Sequence, residues 1–211
     1  FSNKSFNYKM TNLSYSGESN FNSESNIKDN ILRILIIYSV LSFIILTLLN
    51  FSGLRLFNSL NMSMTLVSGG GFLPTDSIDK IISTNFQKII FIFSLIVSML
   101  NFYFFFNLFN KKTLIKEHKE DLYLIILLIV FCILIYFNKY QGLDIIISVA
   151  SSLANSGLTL VKSDNNLSLY FLLITIIGGS LISNTSGIKL TRFYILLKIT
   201  SSEIIKLISP N

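Results

Sequence analysis

Apolar positions in this chain come in long blocks and not in alternation. Residues 34–54, 89–110, 122–138 and 165–188 carry no charged side chain. Each block is long enough, or nearly so, to cross about 30 Å of hydrocarbon as a helix. Backbone groups in lipid must pair within their own segment, so helix is the expected form. Two shorter segments lie between the blocks: LFNSLNMSMTLVSGGGF at 56–72 and GLDIIISVASSLANSGL at 142–158. Each predicts a short helix followed by a glycine-containing stretch. Both are too short and too polar to span, which is the character of re-entrant or buried helices. The order long helix, short helix, glycine stretch, long helix occurs twice, as a repeat in hydropathy and not in identity. The chain therefore divides into a polar segment 1–30, a unit 31–109, a link 110–120, a second unit 121–200 and a tail 201–211. The first thirty residues are rich in Ser and Asn and read as a loop or frayed end, opposite in character to a signal peptide. A chain that opens on Phe1 with two such units is expected to be a piece of a longer protein.

The last block is interrupted. FLLITIIGGSLISNTSGIKLTR, residues 171–192, starts as a spanning helix and then inserts Gly178 and Gly179, a polar run, Gly187 and Lys189. A helix crosses lipid on apolar side chains alone, so the break has a separate reason. A kinked helix with a small-residue packing face is one. A loop buried at membrane depth is the other.

Composition sharpens the class. Of 211 residues, 51% are hydrophobic and 13% charged, against about 25% charged in soluble domains. Mean hydropathy is +0.63. These values, with the blocks, predict an all-α, multi-pass membrane protein. The net charge of +6 is read by location. Lys111, Lys112, Lys116 and Lys119 fill the link, and Lys189, Arg192, Lys198 and Lys206 follow the last block. The positive-inside rule puts both regions in the cytoplasm, and no nucleic-acid partner is expected. The glycine stretches then both face outward, flanked by Asp76, Asp79, Asp144 and Asp164. One cysteine, Cys132, excludes an internal disulfide, and one histidine, His118, cannot build a metal cluster alone.

VSGGGF at 67–72 is a poor membrane helix. Non-helical backbone at this depth persists only when buried in protein or lining a wet cavity. A short helix ending there can aim carbonyl oxygens at an axis, and a ring of carbonyls replaces the hydration shell of a cation. Asn155, Ser156 and Gly157 of the second stretch offer the same groups. A plain turn accounts for a lone GGG; the placement of a second glycine-containing stretch after a second short helix favours a cation site. Met62 and Met64 read as packing, as does Asn101. Asn107 and Asn138 face either a cavity or a neighbouring helix, and His118 reads as solvated. Ser183 and Thr185 are placed to bond carbonyls freed by the broken helix. Paired carboxylates, a nucleophile with its base and a phosphate loop are all missing from the sequence, so no enzyme is expected. GGSLISNTSGIK fails the Walker spacing.

Three passages resemble one family, the membrane subunits of the Trk/Ktr/HKT potassium transporters. NMSMTLVSGGGFLPTDSI at 61–78 and SVASSLANSGLT at 148–159 are similar to its second and third pore loops, and ITIIGGSLISNTSGIKLTRFYILLK at 174–198 to the broken second helix of its third repeat. The resemblance covers residues 30–200 and implies the middle two of four helix–pore helix–helix repeats around one pore. It implies that Ser68, Gly69, Gly70 and Gly71, with Ala154, Asn155, Ser156 and Gly157, offer mainly backbone carbonyls to potassium, with sodium as the alternative ion. It also implies an intramembrane gate made of Gly178, Gly179, Leu181, Ile182, Ser183, Asn184, Thr185, Ser186, Gly187 and Lys189. Lys189 and Arg192 are expected to reach the cytoplasmic surface. A homodimer in the cell's inner (cytoplasmic) membrane, a cytoplasmic nucleotide-binding regulatory subunit and no covalent cofactor are further implications. The sequence departs from the family pattern at Gly69, where Thr is usual, at Ala154-Asn155-Ser156, and at Leu181, Ile182 and Asn184-Thr185-Ser186, which make a bulkier gate segment. Two other functions stay open: a non-conducting membrane subunit for assembly or regulation, and a secondary transporter of another small solute.

Overall fold

The computed structural model describes residues 24–102, 104–105, 119–136, 142–160 and 165–208. Asn107, His118, Asn138, Asp164 and the lysines at 111, 112 and 116 lie outside the described residues, as does most of the polar segment 1–30. The described residues include the α-helices α1 (Glu24–Phe51), α2 (Leu56–Ser68), α3 (Asn85–Met99), α4 (Lys119–Tyr136), α5 (Leu143–Leu153), α6 (Asn165–Ile177) and α7 (Leu190–Ile208). A single 3-10 turn, Ile78–Lys80, precedes α3.

Burial follows the repeat. On α1 the stripe Leu41, Ile45 and Leu49, four residues apart, is buried and packs on α2. Beyond Arg33, α1 also exposes apolar Leu35, Ile36, Val40 and Phe43, and α4 exposes Ile125, Ile126, Ile129, Val130 and Ile133. Soluble monomers rarely expose apolar patches beyond a few hundred Å². Among the described residues, one helix, Ile31–Phe51, is by itself long and apolar enough to cross a membrane. Of the two short helices, α5 occupies the centre, and α2 buries one face, with Ser59, Met62, Ser63, Thr65, Leu66 and Val67. α5 packs against α3, α4 and α6, and every residue from Ile147 to Leu153 is buried. Its serines fit there because their hydroxyls turn back on the helix: Ser148 Oγ donates to the Asp144 carbonyl at 2.8 Å and Ser152 Oγ to the Ser148 carbonyl at 2.8 Å.

α3 opens with a capping box. Thr84 Oγ1 accepts from the Gln87 N–H at 3.3 Å, and Gln87 Oε1 accepts from the Thr84 N–H at 3.2 Å. Gln87 Nε2 also donates to the Ser52 carbonyl at 3.3 Å and so fixes the start of α3 beside the end of α1.

The block 89–110, expected as one span, is broken. α3 ends at Met99, Leu100 is extended (φ −75°, ψ 161°), and helix resumes at Phe102. The cause is tertiary. The Asn101 N–H donates to Asp121 Oδ1 at 3.0 Å. The Phe102 N–H donates to the Ile182 carbonyl at 2.9 Å, and the Met99 carbonyl accepts from the Ser180 N–H at 3.1 Å. Of the peptide groups freed by this break, the Met99 carbonyl and the Phe102 N–H are bonded to the break in the last block, and the Asn101 N–H to α4.

Candidate functional site

Both short helices end the same way. α2 stops at Gly69, which is left-handed (φ 65°, ψ 23°), and its N–H returns to the Thr65 carbonyl. Positive φ recurs at Gly71 (71°) but not at Gly70. After α5, Ala154 is right-handed, Asn155 is left-handed (φ 54°) and Gly157 is left-handed (φ 67°), with Ser156 between them. Asn is among the few side chains that visit this region readily. In such an alternation the peptide planes tilt together, with N–H groups on one face and carbonyls on the other. The N–H face is turned into the protein. The Gly70 N–H bonds the Thr65 carbonyl at 3.1 Å, the Asn155 N–H the Ser152 carbonyl at 3.2 Å, and the Ser156 N–H the Ser151 carbonyl at 3.0 Å. The two segments meet: a Cβ placed on Gly71 would lie 2.4 Å from the Ser156 carbonyl oxygen, and one on Gly69 would lie 3.4 Å from that of Ala154. The structure thus brings residues 68–71 and 154–157 together.

Thr65 and Ser151 were not singled out in the sequence. Each stands four residues before the first left-handed position of its segment. Thr65 Oγ1 donates to the Phe72 carbonyl at 2.6 Å; Ser151 Oγ accepts from the Leu158 N–H at 2.7 Å and pairs with Ser156 Oγ at 2.9 Å. Their shared offset was the available signal.

The interruption in the last block is a closed loop. α6 ends at Ile177 and Gly178 turns left-handed (φ 71°). The chain returns so that the Ile188 and Lys189 N–H groups bond the Ile176 and Ile177 carbonyls, each at 2.9 Å. These bonds occupy carbonyls that a helix end otherwise leaves without partners. Where the two arms cross there is no room for a side chain: a Cβ on Gly178 would lie 2.2 Å from the Ser186 carbonyl oxygen. Inside the loop, Thr185 Oγ1 accepts from the Gly179 N–H at 3.1 Å and Ser183 Oγ donates to the Ser180 carbonyl at 2.8 Å. Both hydroxyls pair with loop backbone, but Thr185 accepts an N–H where a bond to a carbonyl was expected, and the carbonyls freed at the end of α6 are taken by Ile188 and Lys189.

Lys189 behaves differently from expectation. It is left-handed (φ 74°), a conformation that costs a bulky residue about 1–2 kcal/mol. Its ammonium folds into the loop instead of reaching for the surface. Nζ donates to the Ser183 carbonyl at 3.2 Å, to Thr185 Oγ1 at 3.0 Å, and to the Thr185 carbonyl. These loop carbonyls have left helical geometry, and the ammonium is the donor within reach.

The loop also touches the filter-like segments. Asn184 Nδ2 donates to the Val67 carbonyl at 3.1 Å, in the last turn of α2, and the Asn184 carbonyl oxygen lies 3.7 Å from the Cβ position of Gly69. Asn155 Nδ2 donates to the Thr175 carbonyl of α6 at 3.2 Å. Among the described residues no cluster of three or more His, Cys, Asp or Glu side chains offers a metal site.

Comparison with known proteins follows the same lines. The structure superposes on the potassium transporter TrkH from Vibrio parahaemolyticus with a TM-score of 0.77, over 90% of this chain and 44% of that one, at 18% identity. It carries the Trk fold. In sequence the chain is 29% identical over 184 residues to an uncharacterized cation transporter of Methanocaldococcus jannaschii, which covers 85% of this chain and 38% of that protein. No family model matches the chain. The chain thus spans less than half the length of either relative. The resemblance drawn from residues 61–78, 148–159 and 174–198 is borne out at the level of fold: the chain is all-helical among the described residues, matches the TrkH fold, and has a cation transporter as a sequence relative. The exposed apolar faces of α1 and α4 agree with the membrane setting that transporter relatives imply.

Proposed function

We propose that the chain contributes two of the repeats of a monovalent-cation uptake pathway, with potassium as the cargo. The observation that carries this reading is the apposition of the two alternately left-handed segments, 68–71 and 154–157, at the ends of the half-buried α2 and the buried α5. With the N–H groups of Gly69, Gly70, Asn155 and Ser156 bonded back to α2 and α5, the carbonyls of these segments are the groups suited to replace water around a cation. No positive side chain stands within either segment, as befits a cation path and not an anion path. The relatives, named as potassium and cation transporters, support the same cargo. In this reading a hydrated ion enters from outside, loses water at 68–71 and 154–157, passes the loop 178–189 and leaves into the cytoplasm. An inside-negative potential favours the inward direction by about 2.3 kcal/mol per charge per 100 mV. No covalent step is involved.

The loop is the gate in this scheme. In this reading Asn184 holds the loop against the end of α2, and the loop in that place closes the path. Leu181 and Ile182 add bulk where the family has small residues. The full-length gene, placed in cells lacking their own potassium uptake, is expected to restore growth at low potassium and to take up radioactive rubidium. Growth without rubidium uptake, or neither, would overturn the reading and favour the non-conducting subunit.

A further inference from the structure

Two acidic side chains at the start of α4 are not used by the pathway just described. Asp121 Oδ1 accepts the Asn101 N–H at the break in α3. Glu120, one residue earlier, reaches the loop. Its Oε1 accepts from the Leu181 N–H at 3.0 Å and from the Thr191 N–H in the first turn of α7 at 3.4 Å. One carboxylate oxygen therefore holds a loop residue and the first turn of the helix that leaves the loop. Amides at a helix start lack internal partners and carry partial positive charge, which favours an anion there. Beside Glu120 lies a groove of about 620 Å³ lined also by Tyr123, Leu190, Thr191 and Tyr194, so the carboxylate sits at the edge of open space.

We propose that Glu120 is a positioning residue of the gate: a latch on α4 that holds the loop 178–189 in its closed place. The proposal rests on the gate reading above. Leu181 is bulky, and a backbone donor cannot be altered without altering the chain. An acceptor on a neighbouring helix therefore fixes the loop while leaving it free to release. Glu120 makes none of the bonds described for 68–71 or 154–157. Loosening it should change how often the path is open and leave recognition of the ion as it was.

The test uses the full-length protein in lipid nanodiscs and in proteoliposomes. Amide hydrogen exchange over residues 178–190 is compared between the parent, Glu120→Ala, and Asp79→Ala, an exposed control on another loop. Exchange is expected to quicken about tenfold or more in Glu120→Ala, as follows from losing a bond to a charged acceptor, and to stay at the parental rate in Asp79→Ala. Rubidium uptake should show a raised maximal rate with KM unchanged. Glu120→Asp keeps the charge but is one methylene short of Leu181, and it carries the same test should the alanine variant fail to fold. Parental exchange in the Glu120 variants overturns the latch. Faster exchange with an unchanged or lower maximal rate, or with an altered KM, overturns its gating role. If the parent itself takes up no rubidium, the transport reading and the gating role fail together, and exchange still decides whether Glu120 tethers the loop.

Discussion

Replacing Gly71 with Ala tests the apposed segments most directly. The added Cβ would sit 2.4 Å from the Ser156 carbonyl oxygen, closer than such atoms approach, and both neighbours are backbone. Gly71 is also left-handed, at φ 71°. The conformation alone costs an L-residue about 1–2 kcal/mol. Displacing a packed neighbour costs about 1–3 kcal/mol more, for a total of about 2–5 kcal/mol. Gly157 supplies the comparison. Its φ is 67°, yet a Cβ there meets nothing within 4 Å, so Gly157→Ala bears only the conformational part. Gly53, left-handed in open space between α1 and α2, is the control away from the site. Rubidium uptake, normalised to protein in the membrane, should fall furthest for Gly71→Ala. The gap to Gly157→Ala should be roughly one to two orders of magnitude if the strain falls on the conducting geometry. Gly53→Ala should transport as the parent does. Equal uptake by Gly71→Ala and Gly157→Ala would refute the collision, and parental uptake by both would remove residues 68–71 and 154–157 from the ion path.

Replacing Leu181 and Ile182 together with Gly should raise the rubidium flux by thinning the loop, and currents identical to the parent's would place the gate elsewhere. Lys189→Met removes the donor to the Ser183 and Thr185 carbonyls; a loss of about 1–3 kcal/mol is expected, read as a lower unfolding temperature in detergent, and a parental temperature would show that the ammonium does not hold the loop. Thr84→Ala removes the cap of α3 and should cost about 1 kcal/mol without altering KM for rubidium; a changed KM would mean that the cap acts on the ion path.

Much of the site could be read from residues 61–78, 148–159 and 174–198 because its signals are local. Three successive glycines, a glycine following Asn-Ser, and a glycine pair inside an apolar run each contradict the surrounding helix wherever the chain goes. Ser183 and Thr185 were found as backbone partners for a related reason: hydroxyls beside a helix break bond within a few residues. The break at Met99–Asn101 was not legible. Its local sequence, SMLNFYF, suits a continuous helix, and the interruption is held by acceptors and donors from Asp121, Ser180 and Ile182. The direction of Lys189 was misjudged on the same ground, since an ammonium near a helix end reaches water unless tertiary structure presents oxygens closer by.

The sequence by itself determined where helix is possible and where it fails, because backbone propensity and burial in lipid act on neighbouring residues. Tertiary structure decided which failures meet. Gly71 stands against Ser156, Asn184 against Val67, and Glu120 against Leu181 and Thr191, pairs far apart along the chain. Peptide groups released by one interrupted helix need partners, and only the packing of the helices determines which other segment supplies them.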